Sequence, residues 1–443
     1  MDVVRLFEGA DMLEIAHECD LQGTHFSNVF RIGVGEYGYD HFDGYLTDTE
    51  RKSLLKRYAK LSLYELLSDF FGKKLPWGSL TGIRPTRLAY AQLEKTGEFE
   101  SFFEELGVSK ENTALVARVL AGQRGIYERR EGNADLFVSL PFCPTKCVYC
   151  SFITAPIGAT RQYLPAYLSA LEKELQAAKP LLKNLRSVYI GGGTPFALES
   201  AELERVLKAI APLRENGCEY TVEAGRPDTF TEEKLELCKK YGVTRICINA
   251  QSFSDKTLAA IGRKHTAEEV VRAFDMARPY GFDINCDLIA GLTDETYEEF
   301  CGSVDTAIAL SPANITVHTL CLKKGARLKE ETSTLSEGGM SKMIAYSREK
   351  LTAAGYEPYY LYRQKYMAGA HENVGWTKPQ KACVYNVDVM EEIADNLAVG
   401  ANAITKKLFF AENRIERCGS PKDILTYLNK VEKLIEEKNE LFS

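Results

Sequence analysis

The 443-residue sequence predicts an α/β fold built around a partial (β/α)6 barrel, with an α+β module before it and a mainly helical region after it. Three observations predict the barrel. Six short β-rich runs alternate with amphipathic helical stretches between about residue 135 and residue 320. Each run is four to seven residues long, as buried parallel strands are. Polar or glycine-rich motifs stand at the C-terminal end of one run after another, the end at which such barrels gather function.

Residues 1–130 lack this rhythm. They hold a helical stretch, Arg51 to Phe71, and a Pro/Gly-rich connection, Leu75 to Pro85, and are read as a separate α+β module. The charged segment Glu128 to Asn133 reads as a linker. The barrel is assigned to residues 131–325. Its predicted strands are Leu136–Leu140, Ser187–Ile190, Tyr220–Ala224, Arg245–Ala250, Ile284–Ile289 and Asn314–Leu320. Between them, apolar residues recur at near 3.6-residue spacing: Leu164, Leu168, Leu171 and Leu175; Leu203, Val206, Leu207 and Ile210; Leu235, Leu237 and Cys238; Val270, Val271, Phe274 and Ala277; Phe300, Val304, Ala307 and Leu310. After Lys323 the rhythm stops. Residues 326–443 are expected to be mainly helical, with a tyrosine-rich segment, Tyr356 to Tyr366, and to cover the substrate.

Composition bounds the function. With 45% hydrophobic and 26% charged residues the chain is ordinary for a globular protein, and it is long enough to bury a core without disulfides. A net charge of −7 argues against a protein that coats nucleic acid. Met1 to Glu8 carries acidic residues and no apolar run, so no secretory signal is expected there; nor does any stretch approach the roughly 18 apolar residues of a membrane span. The expected location is the cytoplasm, where thiols stay reduced. Nine of the twelve cysteines are then scattered, while Cys143, Cys147 and Cys150 crowd into eight positions.

Those three read C-x3-C-x2-C, directly after the first predicted strand. Three thiolates on a short loop can hold three irons of a [4Fe–4S] cluster and leave the fourth iron open to a small molecule. A structural zinc normally takes four ligands, yet no second C-x2-C follows and no histidine lies within a hundred residues. Unrelated structural cysteines, or a zinc completed from afar, are the alternatives.

The spacing resembles the signature of the radical S-adenosylmethionine (SAM) superfamily. Phe137-Val138-Ser139-Leu140-Pro141-Phe142-Cys143 resembles the strand and loop of the oxygen-independent coproporphyrinogen III oxidases and their haem-chaperone relatives. The resemblance implies a [4Fe–4S] cluster on Cys143, Cys147 and Cys150, with SAM chelating the open iron and cleaved by one electron to a 5′-deoxyadenosyl radical. It also counts Phe137 among the cofactor-binding residues and puts Tyr149 near the adenine. Gly191-Gly192-Gly193-Thr194-Pro195 ends the second strand; glycines let a ligand approach backbone closely, although the segment also suits a tight turn. It resembles the segment contacting the methionine amino group, which implicates Gly192, Gly193 and Thr194. Glu223, Gln251 and Asp287, at the ends of the third, fourth and fifth strands, could each cap a helix. Together they match, in order, positions that bind the SAM ribose and methionine, and Arg263 matches a carboxylate partner. His265 is left unassigned.

The flanks bear on the substrate. Leu75 to Thr86, Tyr362 to Gly369, Glu372 to Trp376 and Cys383 to Asn386 resemble the coproporphyrinogen dehydrogenase subgroup of Gram-positive anaerobes. Tyr359, Tyr360, Tyr362, Arg363, Lys365, Tyr366, Trp376, Lys378 and Lys381 have the chemistry to hold a macrocycle with four carboxylates, or else pack the fold. Cys383 is a candidate donor beside the substrate or a buried core residue. Two departures stand out. Ser151 and Phe152 follow Cys150, where the well-studied oxidases have a further cysteine, and Phe137 and Ser139 replace their Tyr and His. The chaperones' His-Asn-x-x-Tyr-Trp motif is also missing, and His371 to Trp376 is no equivalent.

The resemblance thus implies an oxygen-independent coproporphyrinogen III dehydrogenase of haem biosynthesis, turning two propionates into vinyl groups to give protoporphyrinogen IX. Flavodoxin or ferredoxin is the implied electron donor. A haem carrier, another radical SAM enzyme acting on a tetrapyrrole, and a zinc-stabilised structural protein are the alternatives.

Overall fold

A computed structural model of the chain describes residues 3–7, 9–43, 48–150, 155–214, 217–321, 337–364 and 371–443. Two compact units emerge. The first comprises Met1–Ala117 and Tyr362–Glu372, the second Arg118–Leu361 and Asn373–Ser443.

In the first unit an antiparallel meander, β1 (Ile15–Gln22), β2 (His25–Ile32) and β3 (Gly35–Phe42), turns through Gly23-Thr24 and Gly33-Val34. Both glycines have positive φ, as two-residue hairpin loops require. Phe30 of β2 packs with Leu63, Tyr64 and Leu67 of α1 (Asp48–Phe71). Helices α2 (Pro85–Thr96), α3 (Glu100–Glu105) and α4 (Lys110–Gly122) follow.

The second unit is organised by one eleven-stranded sheet. Its centre is six parallel strands: β4 (Asn133–Leu140), β7 (Asn184–Gly192), β8 (Glu219–Gly225), β9 (Arg245–Gln251), β10 (Asp283–Ala290) and β11 (Asn314–Thr319). A minor parallel pair, β5 (Phe142–Cys143) and β6 (Ala155–Pro156), lies apart from the main sheet. The six strands neighbour one another in chain order, as in a (β/α)6 barrel; a doubly wound sheet would reverse order at a switch point. Connecting them are α5 (Ile157–Thr160), α6 (Leu164–Ala178), α7 (Ser200–Ile210), α8 (Glu232–Lys240), α9 (Asp255–Ala260), α10 (Ala267–Ala277) and α11 (Tyr297–Leu310). The predicted stripes bury as expected on α6 and α7, where all eight apolar positions are in the core. Thr266 with Glu269, and Thr296 with Glu299, close capping boxes that start α10 and α11.

Successive residues on these strands divide the sheet into two faces. Ile246, Ile248 and Ala250 of β9 form part of an apolar face, as do Tyr220, Val222 and Ala224 of β8. The opposite face carries Asp135, Ser187, Tyr189, Thr221, Asn285 and Thr316. The sheet curls toward this polar face: Tyr189 Oη of β7 comes within 3.9 Å of Cys247 Sγ of β9, although β8 runs between them.

The region from 326 onward differs from its sequence reading. It has the helices α12 (Glu337–Ala353), α13 (Val384–Glu391), α14 (Ile424–Leu428) and α15 (Val431–Phe442). It also adds five strands, β12 (Glu357–Tyr362), β13 (Asn373–Thr377), β14 (Asp395–Val399), β15 (Ile404–Phe409) and β16 (Arg414–Gly419). β13 pairs antiparallel with β11, and β14 pairs parallel with β4. An open barrel leaves two edge strands with unpaired backbone, and these short strands satisfy both. Five-residue, fully buried strands carry almost no periodicity by which to recognise them. The predicted boundary at residue 325 lies outside the described residues, as do Ser151 and Phe152. Among the described residues no helix is long and apolar enough to cross a membrane.

Candidate functional site

Toward the C-terminal end of each of the six parallel strands stands a half-buried side chain with buried neighbours on either side: Phe137, Tyr189, Glu223, Asn249, Asp287 and His318. They mark the open end of the polar face. The ring has an aromatic side and a polar side. Tyr385 of α13 stacks on Tyr189 at 4.4 Å between ring centres and on Phe137 at 6.1 Å. Asp287 Oδ2 and His318 Nε2 lie 3.9 Å apart on the opposite wall.

Two irregularities aim the polar side chains. Between Val222 and Gly225, β8 holds one residue more than β9 opposite it, and β9 in turn bulges around Asn249–Ala250 against β10. Such bulges redirect side chains next to functional sites. Gln251 follows the second bulge with φ of 70°, the left-handed region that a non-glycine residue adopts only at a cost of about 1–3 kcal/mol. Its Oε1 is buried without a hydrogen-bond partner, and so is Asn249 Oδ1. Two buried acceptors at the end of β9 call for a ligand with donors.

The glycine turn approaches Glu223 and the cysteine loop closely. A Cβ at Gly191 would stand 2.7 Å from Glu223 Oε2, and one at Gly193 would stand 2.5 Å from the Phe142 carbonyl oxygen and 2.6 Å from that of Leu140. Gly192 has φ of 95°. Tyr189 donates to Glu223 Oε1 at 2.6 Å. The Glu223 carboxyl is pushed up to about 7, chiefly by burial; the charge of Asp287 adds to this, and the Tyr189 hydroxyl and Gly192 N–H hold it back.

The cysteine loop is pinned to the same strand ends. Thr194 N–H donates to Phe142 O at 2.7 Å and Val148 N–H to Ile261 O at 3.1 Å, while Thr145 Oγ1 accepts from Arg226 at 2.5 Å. Arg226 is itself buried and paired with Asp228 at 2.7 Å. Cys143, Cys147 and Cys150 are partly open, with Cys143 Sγ 3.4 Å from Thr194 Oγ1. Among the described residues no three His, Cys, Asp or Glu side chains converge on a position for one ion; a cubane cluster instead offers each thiolate its own iron.

Tyr149 packs its ring with Val148 against Leu258, Ile261, Ile289, Leu292 and Leu320. Its hydroxyl hydrogen-bonds Arg263, and burial pushes it well above the ordinary tyrosine range. Arg263 also bonds the Asn249 carbonyl and Cys147 Sγ, so it braces the loop against the end of β9; its buried Nε has no partner. Arg263 thus braces the loop and keeps one buried donor to spare.

The structure brings together Phe137, Tyr149, Gly192, Gly193, Thr194, Glu223, Gln251, Arg263, Asp287 and the three cysteines around the C-terminal ends of the strands. Other suggestions go elsewhere. Tyr359, Tyr360 and Trp376 are core residues: Tyr360 packs its ring against Gly375, and Tyr359 accepts from Asn386. Arg363 is buried over the Trp77 ring. Lys365 and Tyr366 lie outside the described residues. Cys383 is buried and donates to Glu219, the first residue of β8, at the end of the strands away from the cysteine loop. Sequence reasoning missed Tyr189, Asn249, His318 and Tyr385. The first three could have been found by stepping along the polar face of each strand by two; Tyr385 carried no local signal.

These residues fit a cluster and SAM: three open thiols on a pinned loop, a glycine cradle that a Cβ would fill, and orphaned acceptors for hydroxyl and ammonium donors. Residues 137–307 match the family model described as Radical SAM superfamily. The chain is 34% identical over 448 residues to the oxygen-independent coproporphyrinogen-III oxidase-like protein HemZ of Bacillus subtilis, covering 95% of this chain and 88% of that one. It is 33% identical over 277 residues to the heme chaperone HemW of the same organism, covering 55% of this chain and 71% of HemW. Among solved structures it resembles the Escherichia coli coproporphyrinogen III oxidase HemN with a TM-score of 0.55 and 22% identity over 72% of each chain, a likeness of fold.

Proposed function

The chain belongs to the radical SAM superfamily, in its oxygen-independent coproporphyrinogen-III oxidase-like branch, whose cofactors are a [4Fe–4S] cluster and SAM, and from this we propose that it is a coproporphyrinogen III dehydrogenase. The observation that carries this reading is the extent of the likeness. It runs through both flanks of the barrel with HemZ, over 95% of the chain, but over only 55% with HemW of the same organism.

Bound here, the cluster and SAM supply a 5′-deoxyadenosyl radical able to take a hydrogen atom from an unactivated carbon. Cys143, Cys147 and Cys150 would each hold one iron, and Arg263 donates to Cys147 Sγ, which holds that side chain in place. Glu223, Asn249, Gln251 and Asp287 would bind the polar groups of SAM; Glu223 suits its ammonium group. Phe137, Tyr189 and Tyr385 form an apolar wall that keeps water from a reactive carbon. Each propionate would lose a hydrogen atom from its β-carbon, then carbon dioxide and one electron to an external acceptor, leaving a vinyl group. A flavodoxin or ferredoxin would reduce the cluster.

The test is anaerobic incubation of reconstituted protein with SAM, a reductant and coproporphyrinogen III, followed by mass spectrometry. Vinyl products with 5′-deoxyadenosine are expected. Deoxyadenosine without decarboxylation would defeat the substrate assignment, and a methylated product would point to another tetrapyrrole reaction. Stable haem binding without turnover would favour a haem carrier.

A further inference from the structure

We propose that the first unit carries a binding site for a phosphorylated small molecule of the nucleoside-phosphate class, in the cleft between α1 and the loop Ser79–Gly82. The cleft has a volume of about 440 Å³, within the usual range for a small-molecule site. Its floor is cationic. Lys52, Lys56 and Lys60 stand four residues apart on α1, so they share one face of the helix, and Arg57 joins them. Like charges at this spacing weaken a helix, and among the described residues none of the four has a carboxylate partner to offset the repulsion. An anion in the cleft would.

The kind of cation selects the kind of anion. Planar carboxylates are best met by the guanidinium fork. Here the single guanidinium, Arg57, lies over the Phe102 ring at 4.8 Å. The other three are ammonium groups, point charges that suit the spread oxygens of phosphate. Lys60 Nζ already donates to Thr81 Oγ1 at 2.9 Å, which leaves Lys52 and Lys56 exposed for a ligand. Leu88 and Leu106 give the cleft an apolar wall for the body of the ligand.

The opposing loop is prebuilt. Ser79 N–H donates to Leu106 O at 2.9 Å, and Arg363 N–H donates to Ile83 O at 2.7 Å. The Arg363 guanidinium bonds Leu80 O and lies over Trp77, whose indole N–H donates to Glu372 at 2.8 Å. A ligand would therefore not have to order this side of the cleft. The segment Leu75 to Thr86, which barrel chemistry leaves without a role, gains one.

The experiment is calorimetric titration of the full chain, with cluster and without SAM, using pyrophosphate, ADP and citrate as probes. Saturable binding of pyrophosphate and tighter binding of ADP are expected. Each charge-assisted contact removed should cost about tenfold in affinity, so Lys56→Ala should weaken ADP about tenfold and the Lys52→Ala/Lys56→Ala pair about a hundredfold. The Lys52→Arg/Lys56→Arg pair should retain binding, and deoxyadenosine formation from SAM should be unchanged in all of them. The proposal is overturned if neither phosphate probe saturates, if citrate binds more tightly than pyrophosphate, or if ADP binding survives the double alanine substitution. That last result would place ADP in the barrel.

Discussion

Glu223→Gln should make the cofactor-free protein more stable at alkaline pH while abolishing SAM cleavage. The carboxyl titrates near 7 in the folded chain, against 4.5 ordinarily, because it is held beside Gly191 and Asp287 away from water. The unfolded chain therefore releases this proton first as pH rises. The folded state loses stability between pH 4.5 and 7, and above 7 it bears the whole cost of the buried charge. A shift of two and a half pH units corresponds to about 3 kcal/mol, an upper bound since the side chain is half-buried. Glutamine removes that cost, keeps the volume and can still accept from Tyr189. The gain should approach 3 kcal/mol at pH 8 and shrink to about 1 kcal/mol at pH 5. Amide hydrogen exchange of β8 in wild type and variant reads this directly, as up to roughly a hundredfold slower exchange in the variant at pH 8. Equal protection at both pH values, or weaker protection in the variant at pH 8, would refute the electrostatic argument. Deoxyadenosine formation at the wild-type rate would refute the role of Glu223 in binding SAM.

Other outcomes follow from the same geometry. Cys147→Ala should lose the cluster and all SAM cleavage, measured by iron and sulfide content and by deoxyadenosine, whereas Cys301→Ala on α11 should retain both. Gly193→Ala forces a Cβ onto two backbone oxygens, 2.5 and 2.6 Å away, so it should displace the cysteine loop and cut SAM cleavage at least tenfold while the fold, read by circular dichroism, persists. His265 is buried, and burial together with the Arg263 charge lowers its titration from 6.5 to about 4. The unfolded chain takes up this proton first, so stability should fall as pH drops from about 6.5 to 4, by up to about 3 kcal/mol. His265→Phe should flatten that acid limb in urea-unfolding midpoints.

Much of the site was legible because its signals are local. C-x3-C-x2-C is a matter of spacing, Gly191-Gly192-Gly193 of backbone freedom, and the predicted strands overlap all six observed ones because β-rich runs and 3.6-residue stripes alternate along the chain. The polar face of the barrel was written in the alternation within each strand, which is how Tyr189, Asn249 and His318 could have been read with Glu223. Tyr359, Tyr360 and Trp376 mislead because composition cannot distinguish an aromatic that holds a ligand from one that fills a core; burial decided for the core.

Sequence alone therefore determined the cysteine triplet on which the cluster is proposed to sit, the order of the barrel strands and the polar ends on which SAM binding is proposed. Only the tertiary structure decided that β13 and β14 close the barrel edges, that bulges aim Glu223 and Gln251, that Arg263 braces the cysteine loop, and that Tyr385 comes from more than two hundred residues away to face Phe137. The division has one physical cause. Backbone preference and side-chain periodicity act over a few residues, whereas strand pairing, bulge register and ring stacking exist only once distant segments have been brought together.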